Sequence, residues 1–439
     1  MRDVLVTLAF IALAFKTLQE PWIGAMLWTL FSLLNPHRLT YGFAFTLPFA
    51  AVAAGVCLIS VMIHRNKVRL PADPAVVLLL AFVVWTGITT AFAIHAEESF
   101  TVWFERLVKV QLMTLVCLMT LRTRKHIEMF VWVIVVSLGF YAVKGGIFAI
   151  ATGGSSRVWG PGGTFIEDNN ALGLAIVMTI PLMNYLRVVS RRMLVRRGLL
   201  AAMLLSSVAV LSSQSRGAFL AIAAMGFVLW MRAKSKLLGG IVIVAVGISL
   251  LAFMPASWEA RMQTIGSYQQ DASAMGRINA WQTAANVAND RITGAGFAID
   301  RADVFGKYAP NPDLVLTAHS IYFQVLGEHG WPGLILFLSM GAVTFWHAMR
   351  LRAAARARPE TEWLRELAGM IQVSMVGYAT GGAFLSLAYF DLPYYIMVIT
   401  LAGKYWLRDE CWRTDTVGAF GAGMPQLAKP AVNAVPKQI

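Results

Sequence analysis

Apolar residues run along this chain in long unbroken stretches, and the polar positions between them fall in short clusters. Stretches at about 42–63, 75–94, 102–121, 126–150, 168–186, 198–213, 217–231, 237–254, 320–348, 367–388 and 392–407 approach the ~20 residues a helix needs to cross ~30 Å of hydrocarbon. They lack the strict alternation of barrel strands, so the pattern predicts helices. Lipid offers no partner to a backbone N–H or C=O, and a bundle of helices satisfies these groups internally. Val4–Phe15 and Trp22–Leu34 are shorter and add one or two crossings. The expected fold is an all-α polytopic membrane protein of about 12 transmembrane helices. Its parts are N-terminal helices (1–254), a large polar loop with amphipathic helices (255–319), C-terminal helices (320–408) and a tail (409–439) expected to be disordered. Lys16 and more apolar sequence follow Val4–Phe15 without a small-residue cleavage site, so no cleavable signal peptide is expected.

Composition agrees. Of 439 residues, 58% are hydrophobic and 14% charged, against roughly 25% charged in a soluble domain. Mean hydropathy is +0.63. The net charge of +14 is not a nucleic-acid footprint, because its Lys and Arg gather in alternate short loops: His64–Arg69, Arg122–Lys125, Arg187–Arg197, Arg232–Lys236 and Arg350–Arg365. The preference of basic loops for the cytoplasm puts these inside. It turns Pro36–Tyr41, His95–Phe100, Ala151–Asp168, Ser212–Arg216 and Pro255–His319 outward. Cys57, Cys117 and Cys411 are far apart and odd in number, which implies no disulfide framework. The histidines show no metal-ligand spacing, and Asp-x-Asp, Walker and Gly-x-Ser-x-Gly motifs are absent. No metal, ATP or other cofactor is expected, so the energy for any reaction must arrive in the substrate.

The outward loops are the expected working surface. Asp168 or Asn169 suits the N-cap of the next helix. An amphipathic helix is predicted from about Ser273, its candidate N-cap, to Asn289, with Arg277 and Trp281 on one face and Asn279, Gln282, Asn286 and Asn289 on another. Such a helix could lie on the membrane with its apolar stripe down. Thr293–Phe297 breaks it. Arg216 sits in a tight outward turn among Ser212, Ser213 and Ser215, and Gly217 permits close backbone approach. A guanidinium at a helix start suits phosphate oxygens, or it anchors the helix at the headgroups. Arg277 reads as a second anion ligand or as a solvated charge. Arg106, Lys109 and Lys144 near outer helix ends either enlarge an anion-attracting pocket or form internal pairs, Glu105 with Lys109 among them. His319 begins a span at the outer surface, with Tyr322 on its face. It is either a structural histidine or a base suited to proton transfer near neutral pH. Glu328, in the Gly- and Pro-interrupted stretch Glu328–Gly333, is expected to be buried and paired.

These residues resemble the O-antigen ligase and O-antigen polymerase superfamily. The likeness rests on Ser215-Arg216-Gly217, on Arg277-x-x-x-Trp281 followed by Gly294-x-Gly296, and on His319-Ser-x-Tyr322 continued by Leu326-x-Glu328-x-Gly330-x-x-Gly333. It runs from about Gly160 to Pro393, while the first ~120 residues are similar to O-glycosylation ligases. The resemblance implies a metal-independent glycosyltransferase in the bacterial inner membrane. It would move a glycan from an undecaprenyl-pyrophosphate-linked donor to the lipid A core of lipopolysaccharide at the periplasmic face. It also implies catalytic roles for Arg216, Arg277 and His319. Substrate contacts are expected from Arg216, Arg277, Trp281, Tyr322, Lys109 and Lys144, with membrane lipids as surroundings. A polymerase or a protein-glycosylating ligase would use the same donor. A transporter of that lipid fits less well, since no internal repeat is visible.

Overall fold

The computed structural model describes residues 1–415 apart from 234, 253 and 256–271. The expectations for the start of the polar loop and for the end of the tail, and the Ser273 side chain, lie outside the described residues. The described residues form helices and turns, with no strand among them. In order these are α1 (Arg2–Gln19), α2 (Pro21–Leu33), α3 (Phe49–Ile63), α4 (Pro74–Ala91), α5 (Ala96–Val102), a π-helical turn (Trp103–Val108), α6 (Lys109–Thr120), α7 (Arg124–Ala151) and α8 (Asn169–Val189). Then come α9 (Met193–Ser212), α10 (Arg216–Arg232), α11 (Lys236–Ala252), α12 (Ala272–Asp290), α13 (Ala302–Tyr308), α14 (Ile321–Ala354), α15 (Glu362–Gly382) and α16 (Asp391–Arg408). Among the described residues, 5 helices are long and apolar enough to cross a membrane: α4, α7, α8, α9 and α14. α2, α3 and much of α11 are shorter apolar helices.

Boundaries move where turn chemistry intervenes. The stretch expected from residue 42 becomes helical only at Phe49, after a 3-10 turn over Phe43–Thr46 and Pro48. The stretch expected at 102–121 is divided by the π turn. There the i,i+5 spacing replaces i,i+4, so Lys109 lies over the Phe104 ring at 5.8 Å. The expected Glu105–Lys109 ion pair is not formed among the described residues.

Loop contacts gather at both ends of the helices. Among the loops expected to face outward, His95 Nε2 meets Asp303 at 3.0 Å, Ile94 N donates to Ala295 O at 2.9 Å, and Arg157 Nε donates to Gln214 at 3.0 Å. At the other ends of the helices Arg122 reaches Arg69 O, Arg232 reaches Gly369 O and Gln372, and Arg124 N donates to Asp415 at 2.7 Å. α8 runs through the middle, buried almost throughout and packed by α7, α9, α10 and α15.

α14 is broken. Pro332 has no N–H to offer Glu328 O, and Gly330 turns the backbone to φ 66, ψ −173. The carbonyls freed there find other donors. Ala295 N donates to Gly327 O at 2.9 Å, Gly296 N to Glu328 O at 3.0 Å, and Trp85 Nε1 to His329 O at 2.8 Å. A Cβ on Gly294 would stand 2.7 Å from the Glu328 backbone, so the close approach needs glycine.

α12 forms where the amphipathic pattern predicts it, but its apolar stripe does not face lipid. Ala280, Ala284, Val287 and Ala288 are buried within the protein, and the helix packs on α14. Its polar face is not simply solvated either. Asn279 Nδ2 donates to Asn311 O and Leu314 O, Asn286 Nδ2 to Tyr308 O, and Asn289 accepts from Trp331 Nε1.

The basic end is tied by Asp73. It caps α4 by accepting from Ala75 N at 2.9 Å, with His347 Nε2 of α14 at 3.0 Å and Lys404 Nζ of α16 at 2.6 Å. Asp73 is buried, so removing it strands two partners and a cap. Asp73→Ala should destabilise the fold by about 3 kcal/mol, read as an earlier midpoint in denaturant unfolding of the detergent-solubilised protein.

Candidate functional site

At the end of the helices expected to face outward, segments far apart in sequence meet. Asp168 caps α8, accepting from Asn170 N at 2.8 Å and Ala171 N at 3.3 Å, as turn chemistry predicts. Asn169 Nδ2 donates to Ser213 O at 2.6 Å and so ties α8 to the α9–α10 turn. A Cβ on Gly217 would lie 2.9 Å from Phe384 Cβ, and one on Gly382 would lie 2.5 Å from Ile321 Cδ1. The starts of α10 and α14 therefore flank the end of α15.

Arg216 is the first residue of α10 and is half-buried. The positive end of the helix dipole adds to its charge. Ser213 and Ser215 beside it build the turn. Ser213 Oγ donates to Val210 O at 2.6 Å and accepts from Ser215 N at 3.3 Å, while Ser215 Oγ accepts from Ala218 N at 3.2 Å. Gln214 completes the turn at φ 54.

His319 lies in the segment just before α14, also half-buried, with φ 43. Left-handed backbone at a non-glycine costs about 1 kcal/mol or more and persists only when neighbours enforce it. Trp281 does so: its Nε1 donates to Ala318 O at 2.6 Å, and its ring stacks on Phe323 at 5.0 Å. Trp281 is thus committed to positioning the histidine. His319 Nε2 is 3.1 Å from Thr317 Oγ1. Burial holds the imidazole pKa below its usual value, the Arg277 charge pushes it the same way, and Asp168 pulls it back up. Arg277 and Asp168 are therefore both within electrostatic reach of His319. Arg277 sits one turn before Trp281 on α12.

Two cavities flank the 317–322 segment. An apolar cavity of about 430 Å³ runs along α14 from Tyr322 to Phe345, between α15 and α16. Tyr322 Oη donates to Ala379 O at 2.8 Å in its wall. A second, polar cavity of about 320 Å³ is bordered by Thr317, Ala318 and Arg106. Lys109 and Lys144 are exposed and line neither. Glu328 is buried as expected, with Tyr389 Oη donating to it. Among the described residues, no group of three or more His, Cys, Asp and Glu could hold a metal ion.

Sequence reasoning missed Asp168 as a neighbour of His319, Thr317 on its ring nitrogen and the polar cavity. Thr317 was legible as the residue two before the histidine. The other two depend on long-range packing and left no local signal.

Residues 201–338 match the O-antigen ligase family, and residues 1–191 match a family of unknown function (DUF5935). No curated protein matches the chain. The O-antigen ligase match spans Arg216, Arg277, Trp281, His319 and Tyr322. Over residues 201–338 the chain is thus similar to the O-antigen ligase family, which supports membrane glycosyl transfer of the O-antigen ligase or polymerase type.

Proposed function

We propose that the protein is a metal-independent glycosyltransferase of the bacterial inner membrane, working at the periplasmic face. It takes a glycan from undecaprenyl pyrophosphate and joins it to the lipid A core oligosaccharide. The observation that carries this reading is the half-buried imidazole of His319 within reach of the Arg277 guanidinium, beside the apolar cavity along α14.

The chemistry balances without a cofactor. The acceptor hydroxyl oxygen bonds to the anomeric carbon of the donor sugar. The bond from that carbon to the pyrophosphate oxygen breaks, and its electrons leave with the pyrophosphate. The hydroxyl proton passes to His319, which is neutral because burial and Arg277 disfavour the imidazolium. Arg216 and Arg277 stabilise the charge that grows on the leaving group. The apolar cavity takes part of the prenyl chain, and Tyr322 lies at its outer end. Lys109 and Lys144, exposed on α6 and α7, act through the anion-attracting field of the outward surface.

The same machinery would serve a growing lipid-linked glycan or a protein hydroxyl as acceptor. The match of residues 1–191 to a family of unknown function keeps those acceptors in view. Product analysis after reconstitution separates capped lipid A core, lengthened carrier-linked glycan and modified protein.

His319→Ala should lower turnover by about 10²-fold or more, the usual contribution of a positioned base, while donor binding persists. Near-wild-type turnover would remove His319 from the reaction. Transfer should survive EDTA, and its loss would end the metal-free reading. The pH profile of kcat/KM should rise through a pKa below the ordinary histidine value and be flat near neutrality. Arg277→Gln removes one of the influences that lower this pKa, so the acid limb should move to higher pH as the overall rate falls. A limb that stays put, or moves to lower pH, would separate Arg277 from the base.

A further inference from the structure

The polar cavity beside His319 is not used by the mechanism above. Its walls are Arg106, Phe165, Asp300, Gln324, Glu328 and Tyr389, with Thr317 and Ala318 at the edge nearest the histidine. We propose that it is a sugar subsite, holding one uncharged sugar ring of the donor glycan or of the acceptor next to the reacting centre. The proposal rests on the glycosyl-transfer reading.

Four observations point to this ligand class. The volume, about 320 Å³, is at the lower end of the range for small-ligand sites, roughly 300–1,000 Å³. The rim is exposed and charged with both signs, through Arg106 and Asp300, while Glu328 and Tyr389 are buried in the floor. The lining offers hydroxyl, amide, carboxyl and guanidinium groups, which suit sugar hydroxyls. Phe165, Phe297 and Tyr389 offer ring surfaces to the apolar C–H positions of a sugar. The balance of one cation and two carboxyl groups disfavours a pyrophosphate, which belongs nearer Arg216 and Arg277.

The floor is built rather than accidental. Glu328 Oε2 accepts from Tyr389 Oη, and Gln324 Nε2 donates to Glu328 Oε1 at 3.4 Å. Gln324 Oε1 in turn accepts from Ala388 N at 3.4 Å. Gln324 and Glu328 are four apart on the first half of α14, whereas Tyr322 faces the apolar cavity. One helix therefore divides a lipid-like compartment from a sugar-like one, with His319 at its head. Arg106 and Phe165 come from the segment matching the family of unknown function, and Arg106 lies over the Phe165 ring at 5.8 Å. That segment supplies one wall of the subsite.

The test uses full-length protein in vesicles of phosphatidylethanolamine and phosphatidylglycerol. It compares wild type with Arg106→Ala and Glu328→Gln. Three quantities are measured: affinity for sugar-free undecaprenyl pyrophosphate, affinity for the same lipid carrying its glycan, and KM for the acceptor. The first should not change. One of the other two should weaken by about fivefold or more in both variants, as expected for hydrogen bonds worth ~1 kcal/mol each. A change in the second assigns the ring to the donor, and a change in the third to the acceptor. The proposal falls if all three stay at wild-type values, or if affinity for the sugar-free lipid drops in parallel. Should Glu328→Gln not fold, Arg106→Ala at the exposed rim decides alone. Wild-type protein that binds neither lipid and makes no product would instead sink the glycosyl-transfer reading itself, an outcome distinct from any variant pattern.

Discussion

Backbone polar groups that cannot reach water must be satisfied inside the protein, and the break in α14 makes that demand acute. Pro332 has no N–H for Glu328 O and Gly330 leaves helical geometry, and the carbonyls of Gly327, Glu328 and His329 each accept from outside the helix. The Gly294–Gly296 backbone and the Trp85 indole supply the missing donors. The polar segment after α12 is therefore part of the bundle rather than an appendage to it. Without it a transmembrane helix would carry orphaned carbonyls, each costing about 1–3 kcal/mol when buried. Because this docking fixes α12 against α14, it also fixes where Arg277 and Trp281 stand relative to His319.

The charges around His319 work in opposition, and the outcome suits the proposed proton acceptor. Burial and Arg277 both disfavour a charged His319, and Asp168 favours it. The first two prevail, so the resting imidazole is neutral near pH 7. In the proposed reaction it becomes charged as it takes a proton, and Asp168 then offers compensation when it is needed. Arg277 meanwhile has negative charge building on the leaving pyrophosphate, which relieves its repulsion of the imidazolium. An arginine that lowers a base's pKa before reaction and pairs with the leaving group during it serves both steps with one charge.

The parts legible in the sequence were those set by local rules. Apolar run length located most of the helices. Asp168 was readable as a cap, and Gly294 and Gly296 as a break. What failed depended on partners distant in sequence. The Glu105–Lys109 pair was lost to a π turn whose register no local pattern announces. The stripe of α12 read as lipid-facing because an apolar surface looks the same whether lipid or protein covers it. The bond of the Trp281 indole to Ala318 is visible only once α12 and the 317–320 segment are together.

The two matched segments cannot be treated as separate machines. Ile94 N bonds Ala295 O, Arg291 Nη2 bonds Phe92 O at 2.7 Å, and Thr89 Oγ1 lies 2.7 Å from His329 Nδ1. Each contact joins residues of the first segment to the region around the break in α14. The first segment thus braces the backbone on which His319 depends, and it also lends Arg106 and Phe165 to the polar cavity. A change in that segment can act in two separable ways: through the brace, which alters every substrate alike, or through the cavity wall, which alters only substrates bearing a sugar there. The proposed reacting groups His319, Arg216 and Arg277 sit on the second segment, so under the proposed reaction sugar preference can vary through the first without displacing them.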